Sequence, residues 1–243
     1  MKTRIFLLGA SLLALVAAAG ELPLTAAVYP QAGFEMYLGA NRLRLWKPWV
    51  ALRFSLSDNA SLLLKYYHNW LNYDYSFYFE DAVVEKTREA SFSNLTGALF
   101  VQKGKTSGYV ALSYLSGTDA YKGFVLDAGI SRKIGKRIEV EGGIYLFRES
   151  SVLWYPDDLK RYINLYSLKG GIKIGLIPGK LFLHPKIHVY RNSENVKASS
   201  YAIGLAFAPK YPFYVTVDYY RYTEAAVYRF AGDYVSMSLN IYY

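Results

Sequence analysis

The amino-acid sequence predicts an all-β fold, a single transmembrane antiparallel up-and-down β-barrel of about twelve strands, on three observations. Stretches of alternating hydrophobicity, about 9 to 13 residues long, recur from residue 33 to the end of the chain. Aromatic residues make up 17% of the chain and 25 residues are tyrosine, which suits the aromatic belts of a membrane barrel better than a soluble core. Past residue 19, no apolar run reaches the roughly 18 residues that a membrane-spanning helix needs, so membrane crossing falls to the strands.

The N-terminus has the pattern of a secretory signal peptide. Two basic residues precede an apolar run over 5–18 that ends in small residues. This pattern predicts a signal peptide over 1–19, with cleavage after Ala27 as the alternative. Residues 20–32 are then a short N-terminal periplasmic segment, and the barrel occupies 33–243. The chain has no cysteine, so no disulfide is expected to stabilise the exported protein.

Each predicted strand is a stretch of alternating hydrophobicity bounded by turn residues. Segments of this length can cross a bilayer when the strands are tilted. In chain order, the twelve predicted strands run over 33–44, 49–57, 61–73, 90–102, 108–117, 122–134, 137–149, 162–177, 181–192, 198–208, 213–223 and 228–243.

The predicted connections differ in length between the two ends of the barrel. Those after even-numbered strands are short and polar, whereas the two long loops, near 74–89 and 150–161, follow odd-numbered strands. In bacterial transmembrane barrels, short turns face the periplasm, and an even number of strands then puts both termini there. At Gly135-Lys136, a strict two-residue turn would invert the faces of the flanking strands, so a bulged turn of three or five residues is expected.

Each predicted strand has one apolar face, and barrel size decides where that face points. A closed sheet of twelve strands has a backbone radius of roughly 12 Å, too wide for one layer of Leu and Ile to fill, so the apolar faces are predicted to contact lipid. Pro185 occupies an outward position and removes a ladder hydrogen bond, so a bulge over 184–186 is expected. The lipid-facing set includes Val50, Leu52, Phe54, Leu56, Phe124, Leu126, Ile130, Ile138, Val140, Ile144, Leu146, Ile187, Val189, Tyr201, Ile203, Leu205, Phe207, Phe213, Val215, Val217 and Tyr219.

The polar faces carry charges of both signs and are predicted to line the lumen. Acidic residues cluster on the sixth and seventh strands and cationic residues on the eighth and ninth. Two interpretations stay open: opposed charged walls that orient solutes in a water-filled pore, or ion pairs that plug the lumen. Glycines on the same faces either relieve crowding or leave room for a solute. The predicted lumen and selectivity residues are Arg53, Lys65, Asp127, Glu139, Glu141, Lys169, Lys173, His184, Lys186, His188 and Asp218.

The last ten residues alternate without a break and carry one apolar face. That face consists of Val235, Met237, Leu239, Ile241 and the terminal Tyr243. The segment resembles the C-terminal targeting strand of Gram-negative outer-membrane β-barrels, which ends in an aromatic residue. This resemblance implies an outer-membrane location, lipid contacts along the barrel and recognition by the barrel-assembly machinery.

The architecture is typical of small porin-like channels, and we expect diffusion of small polar or charged solutes. A closed structural barrel that binds envelope protein partners through its loops is the alternative. Nucleic acid is not an expected partner, because the Lys and Arg residues behind the net charge of +9 are scattered singly. No cofactor is expected.

Enzymatic and metal sites are weaker hypotheses. His68, Asp74, Tyr78 and Asp81 place a histidine and acids near the barrel rim, as outer-membrane proteases do, but no paired-Asp motif is present. The motif of outer-membrane phospholipases is also absent, because no Ser stands two residues from a lipid-facing His. The i, i+4 pair of His184 and His188 would be about 13 Å apart on a strand, too far to share a metal ion.

The two long loops leave further alternatives. The loop over 150–161 could fold inward as a constriction or stand outward as a recognition surface. The aromatic residues after Asp74, beginning with Tyr75, are expected to form an external girdle or, as the alternative, a ligand platform.

Overall fold

A computed structural model describes residues 27–79, 82–153, 161–208, 212–223 and 231–242. The predicted signal peptide over 1–19, the first residues of the segment over 20–32, and Tyr243 lie outside these ranges. Twelve strands close into one antiparallel barrel, in which each strand pairs with its sequence neighbours and β1 pairs with β12. The strands are β1 (Val28–Gly39), β2 (Leu43–Ser57), β3 (Ala60–Phe79), β4 (Ala82–Lys103), β5 (Thr106–Gly117), β6 (Tyr121–Ile134), β7 (Ile138–Ser150), β8 (Tyr162–Ile177), β9 (Leu181–Asn192), β10 (Lys197–Phe207), β11 (Phe213–Tyr222) and β12 (Gly232–Tyr242).

This topology confirms the predicted fold class and strand number. The first residues of β1 and the last of β12 lie side by side, with Gln31 opposite Tyr242, so both ends of the described barrel reach the same rim. We call this rim the terminus end and the opposite rim the loop end. Two short 3₁₀ helices, over Thr118–Ala120 and Ser151–Leu153, lie at the loop end. No helix among the described residues is long and apolar enough to cross a membrane.

The largest error of the sequence prediction lies between the third and fourth strands. The stretch 74–89 was expected to be a loop, yet β3 continues to Phe79 and β4 begins at Ala82, with Asp74 paired to Thr87 across the two strands. Charged residues interrupt the alternating pattern in this stretch, so the sequence resembles that of a loop. The two strands nevertheless stay paired, because this part of the hairpin needs no continuous apolar face.

The first hairpin is also displaced from its predicted position. β1 begins at Val28 rather than at residue 33, and its turn to β2 lies at 40–42. Pro48, read as part of a turn, lies inside β2 opposite Phe34, and the β2–β3 ladder is interrupted beside it. Because proline has no backbone N–H, it is accommodated at a strand position that donates no inter-strand hydrogen bond.

The sequence predicted two irregularities of strand register, a bulged turn at Gly135 and a bulge at Pro185, and only the first is present. Ile134 pairs with Ile138, which leaves a three-residue turn with Gly135 at φ 71° and confirms the bulged turn. At Pro185, the expected bulge over 184–186 is wrong: β9 keeps one continuous register with β10, in which Pro185 faces Ile203. The strand stays regular because only the ladder toward β8 is interrupted beside the proline.

The outer surface of the barrel is apolar, as predicted. Residues on the outward parity leave about 40–60% of their surface exposed, as at Val50 (58%), Ile130 (61%) and Ile203 (51%). The inward parity carries the charged and tyrosine side chains described below. An apolar exterior around a polar interior is the arrangement of a barrel embedded in lipid.

Candidate functional site: the barrel lumen

An ion pair on the lumen wall, about midway along the strands, joins two strands that are not neighbours. Lys186 Nζ on β9 donates a hydrogen bond to Asp218 Oδ1 on β11 over 2.6 Å. The strand between them, β10, carries Gly204 directly opposite Asp218. A Cβ on Gly204 would overlap the Asp218 carboxylate. The pair therefore depends on a glycine in the strand that it crosses.

The same arrangement occurs across β8. His184 Nε2 on β9 lies 2.8 Å from Glu141 Oε1 on β7, and Gly171 of β8 faces Glu141 between them. A Cβ on Gly171 would lie 2.8 Å from Glu141 Oε1 and 3.1 Å from His184 Nε2. This glycine lets both side chains lie against the barrel wall.

A third pair crosses β7. Lys169 of β8 pairs with Asp127 of β6, and the intervening residue is Gly143, whose Cβ would lie 2.9 Å from Lys169 Cε. The Tyr109 hydroxyl donates to Asp127 Oδ1 over 3.0 Å and accepts from Lys169. Three glycines thus account for three side-chain pairs that each pass over a strand, which favours the interpretation that the lumenal glycines relieve crowding.

Another charged group lies on β1 to β3. Glu35 Oε2 accepts a hydrogen bond from Lys47 Nζ over 2.6 Å, and Lys65 Nζ lies 3.7 Å from Glu35 Oε1. Lys65 Nζ also stacks 3.7 Å from the centre of the Trp49 ring, a favourable cation–π contact. The sequence analysis missed Lys47 because its segment was read as a turn. The i, i+2 alternation with Trp49 and Arg53 is the signal that could have found it.

Two predicted lumen cations have no carboxylate within ion-pair distance among the described residues. Arg53 donates through Nε and Nη2 to Ser61 Oγ, at 3.1 and 2.9 Å. Lys173 Nζ lies 4.4 Å from the centre of the Phe182 ring. Both lie toward the terminus end. Glu139 is the residue opposite Lys173 in the β7–β8 register, but the two side chains form no ion pair.

The remaining predicted lumen residues make local contacts. Glu139 accepts a hydrogen bond from Ser131 Oγ, and His188 Nδ1 lies 3.0 Å from the Tyr190 hydroxyl. His184 and His188 therefore have different partners. Among the described residues, no group of three or more His, Cys, Asp or Glu side chains is arranged to hold a metal ion.

Some of these side chains line a cavity of about 440 Å³ in the half of the lumen nearer the terminus end. Its volume falls within the range of small-molecule sites. Its wall is mixed in character, with aromatic, hydroxyl, basic and acidic groups. The polar lining includes Tyr109, Ser131, Glu141, Lys169, His184, Lys186 and His188.

The loop end of the lumen is filled by a buried apolar cluster, which we call the loop-end plug. Its side chains come from β2 to β6 and from β8 to β12, and they surround Leu153, which is 1% exposed. Tyr75, expected in an external girdle, packs against this cluster from inside. The plug consists of Leu43, Leu45, Leu71, Tyr73, Ala90, Leu115, Tyr121, Leu153, Leu165, Tyr190, Ala198, Tyr222 and Tyr234.

Hydrogen bonds hold Leu153 in the plug. The buried Tyr73 hydroxyl donates to the Leu153 carbonyl over 2.6 Å. Ser151 N donates to the Arg161 carbonyl over 2.8 Å, which closes the base of the loop. The first part of this loop therefore turns inward, which matches the constriction alternative, while 154–160 lie outside the described residues.

The residues of the rim hypothesis do not form one site. His68 lies on the outward parity with Trp70, and its Nδ1 is 3.3 Å from Ser93 Oγ on the next strand. Asp74 instead pairs with Arg42 and accepts from Thr87. Asp81 and the Tyr78 side chain lie outside the described part. The sequence analysis missed the His68–Ser93 contact because it searched for a serine on the same strand.

The predicted targeting strand is β12. Val235, Met237 and Leu239 leave 40–44% of their surface exposed on the outside of the barrel, with Ile241 on the same parity. Tyr243 lies outside the described residues, and recognition by the assembly machinery stays a prediction.

No protein-family model and no curated protein sequence matches the chain. Solved structures do match it: a KdgM porin aligns with a TM-score of 0.58 at 8% identity, covering 87% of this chain and 98% of the porin. The translocator domain of the autotransporter NalP from Neisseria meningitidis aligns with a TM-score of 0.58 at 12% identity, covering 97% and 94%. An outer-membrane channel from Pseudomonas putida F1 aligns with a TM-score of 0.57 at 10% identity, covering 92% and 97%. The chain thus has the fold of porins and channels of the Gram-negative outer membrane.

Proposed function

We propose that the chain is a porin-like outer-membrane channel for small polar or charged solutes. The observation that carries the proposal is the polar part of the lumen between the loop-end plug and the terminus end, where charged side chains lie against the wall around a cavity of about 440 Å³. A barrel that served only as a scaffold would be expected to fill this region with apolar side chains. The fold shared with porins and channels supports the same function.

Because the loop-end plug fills one end of the lumen, we propose that conduction is gated. Both termini face the periplasm in this proposal, so the plug closes the extracellular mouth and the cavity opens toward the periplasm. Leu153 sits on the 3₁₀ helix that follows β7 rather than on a barrel strand, so its withdrawal would not break the sheet. We propose that solutes pass when this connection moves out of the lumen.

Conductance across planar bilayers tests the channel directly. Arg53 and Lys173 would favour anions, because neither cation forms an ion pair with a carboxylate among the described residues. Lys173→Gln is expected to lower the anion-to-cation permeability ratio by about two- to fivefold, the equivalent of about 0.4 to 1 kcal/mol for a partly exposed charge. The ratio is read from the reversal potential in a salt gradient.

The matched control is Lys105→Gln, because Lys105 is exposed in a turn outside the lumen. An equal effect of both variants would place Lys173 outside the permeation path. One neighbouring structure is a KdgM porin in complex with disordered oligogalacturonate, and we propose this oligosaccharide as the first solute to test for block of the current.

The loop-end plug also favours a second candidate, a closed structural barrel that binds an envelope partner. The two candidates differ in one measurement. A correctly folded barrel that shows no conductance over a range of voltages, both as wild type and after removal of the Leu153 side chain, would reject the channel and leave the structural role.

A further inference from the structure

The outer surface of the barrel carries an open groove of about 400 Å³ along β8. Its floor is apolar and lies on the lipid-facing parity, where Leu168 is 66% exposed and Val189 is 51% exposed. The edge of the groove nearer the loop end carries an aromatic residue and two cations. The residues that line it include Ile144, Leu146, Tyr166, Leu168, Val189, Arg191 and Lys197.

The two cations at the edge of the groove are direct neighbours. Arg191 pairs with Tyr166 on one side and with Lys197 on the other, so the three side chains form one row across β8, β9 and β10. Like charges directly opposite each other on adjacent strands are destabilising. An arrangement of this kind gains stability when an anion lies between the two charges.

No acidic residue supplies that anion among the described residues. Arg191 Nη2 donates to the neutral Asn195 Oδ1 over 3.2 Å, and Lys197 forms no ion pair. The nearby carboxylate of Glu194 is paired with Arg161 at 3.2 Å. The repulsion between Arg191 and Lys197 is therefore not offset by a described carboxylate.

We propose that the groove binds a phosphorylated lipid of the surrounding leaflet, with its phosphate between Arg191 and Lys197 and its acyl chains on Leu168 and Val189. The row of cations lies beside Tyr166, at the level where aromatic belts mark the head-group region. The apolar floor of the groove extends from that level toward the membrane centre. Such a surface can contact the acyl chains of a lipid, whereas it would contribute nothing to the binding of free phosphate. This proposal needs the lipid-embedded barrel but not the channel function.

Nanodiscs of phosphatidylcholine containing diphosphoryl lipid A provide the test, with native mass spectrometry after detergent exchange as the readout. The wild-type barrel is expected to retain lipid A. The double variant Arg191→Gln, Lys197→Gln is expected to retain it at least about tenfold more weakly, because two cations near the head groups are lost. Leu168→Trp fills the groove and is expected to weaken retention with both cations still present.

Arg221→Gln is the matched control, because Arg221 is also an outward cation near the loop end but lies 3.9 Å from Asp233. Its retention of lipid A is expected to equal that of the wild type. Equal retention by the double variant would overturn the proposal, as would complete displacement of lipid A by inorganic phosphate. A heat-modifiable shift on gels verifies that each variant is folded, and unchanged conductance separates this result from the channel proposal.

Discussion

At the scale of single residues, the lumen stays polar because glycines are placed where charged side chains cross. Gly204 and Gly171 each lie beneath a hydrogen-bonded pair of side chains that joins the strands on either side. The charged groups satisfy each other along the wall rather than at the centre of the lumen. Burying charges in this way costs least when each has a partner with good geometry.

Gly171 and Gly170 provide a direct test, since they are adjacent and point to opposite faces. Gly171→Val would push Glu141 and His184 away from the wall, and we expect a loss of about 1 to 3 kcal/mol in the free energy of unfolding. A Cβ added at Gly170 would meet no atom closer than 3.8 Å, and Gly170→Val is expected to change stability by less than about 0.5 kcal/mol. Urea unfolding in lipid vesicles measures both, and equal losses would contradict the glycine crossings.

The sequence predicted which residues line the lumen but not which residues pair. Alternation places Lys186 and Asp218 on the polar face, yet the two are 32 residues apart and sit on strands separated by a third. Their contact depends on strand stagger and on the absence of a side chain at Gly204. Neither property can be read from one strand at a time.

At the scale of elements, the connection between β7 and β8 is the gate that we propose for the lumen. Its first residues form a single 3₁₀ turn, Ser151–Leu153, that points into the barrel. The inward position of this turn is held by the packing of Leu153, by the hydrogen bond from Tyr73 to the Leu153 carbonyl and by the hydrogen bond from Arg88 to the Val152 carbonyl. A connection held this way can move on a faster timescale than the sheet can open.

Leu153→Ala is expected to loosen the loop-end plug and to raise the open probability in planar bilayers. Loss of a buried leucine side chain costs about 2 to 5 kcal/mol when the site cannot collapse, enough to shift a two-state gate strongly toward the open form. Tyr73→Phe removes only the hydrogen bond and is expected to give a smaller increase.

Leu205→Ala serves as the control for these gate variants, because Leu205 is 49% exposed on the lipid-facing surface. Its single-channel record is expected to match that of the wild type. An unchanged record for Leu153→Ala as well would show that Leu153 does not close the pore.

At the scale of the whole molecule, the barrel is an apolar surface around a polar interior, closed by pairing of β1 with β12. The exterior can be tested by placing one charge at two depths on β10. Ile203→Arg, near the middle of the strand, is expected to cost about 2 to 4 kcal/mol in lipid vesicles. Ser199→Arg, on the same face near the loop end, is expected to cost about 0 to 1 kcal/mol.

Urea unfolding followed by tryptophan fluorescence gives both values for the β10 variants. The difference arises because a guanidinium at the membrane centre loses its hydration, whereas one near the head groups keeps it. Equal costs at residues 203 and 199 would show that this face does not lie in the apolar part of a bilayer.

The sequence by itself determined the fold class, the strand number and the facing of most side chains. These follow from two-residue periodicity, because successive side chains of a strand point to opposite faces whatever the neighbouring strands are. It also predicted the short turns, because glycine and proline mark them locally. The prediction was wrong at 74–89 because the two strands stay paired there without a continuous apolar face. It was wrong around Pro48 because β2 continues through a proline.

Only the tertiary structure decided the state of the lumen. Ion pairs that cross a strand, a plug gathered from eleven elements and a lipid-facing groove between strands all join residues that are distant in sequence. Such contacts depend on barrel radius and strand stagger, which are properties of the closed sheet as a whole. Local alternation therefore defined the two faces of the barrel wall, and closure of the barrel determined which side chains contact each other in the lumen.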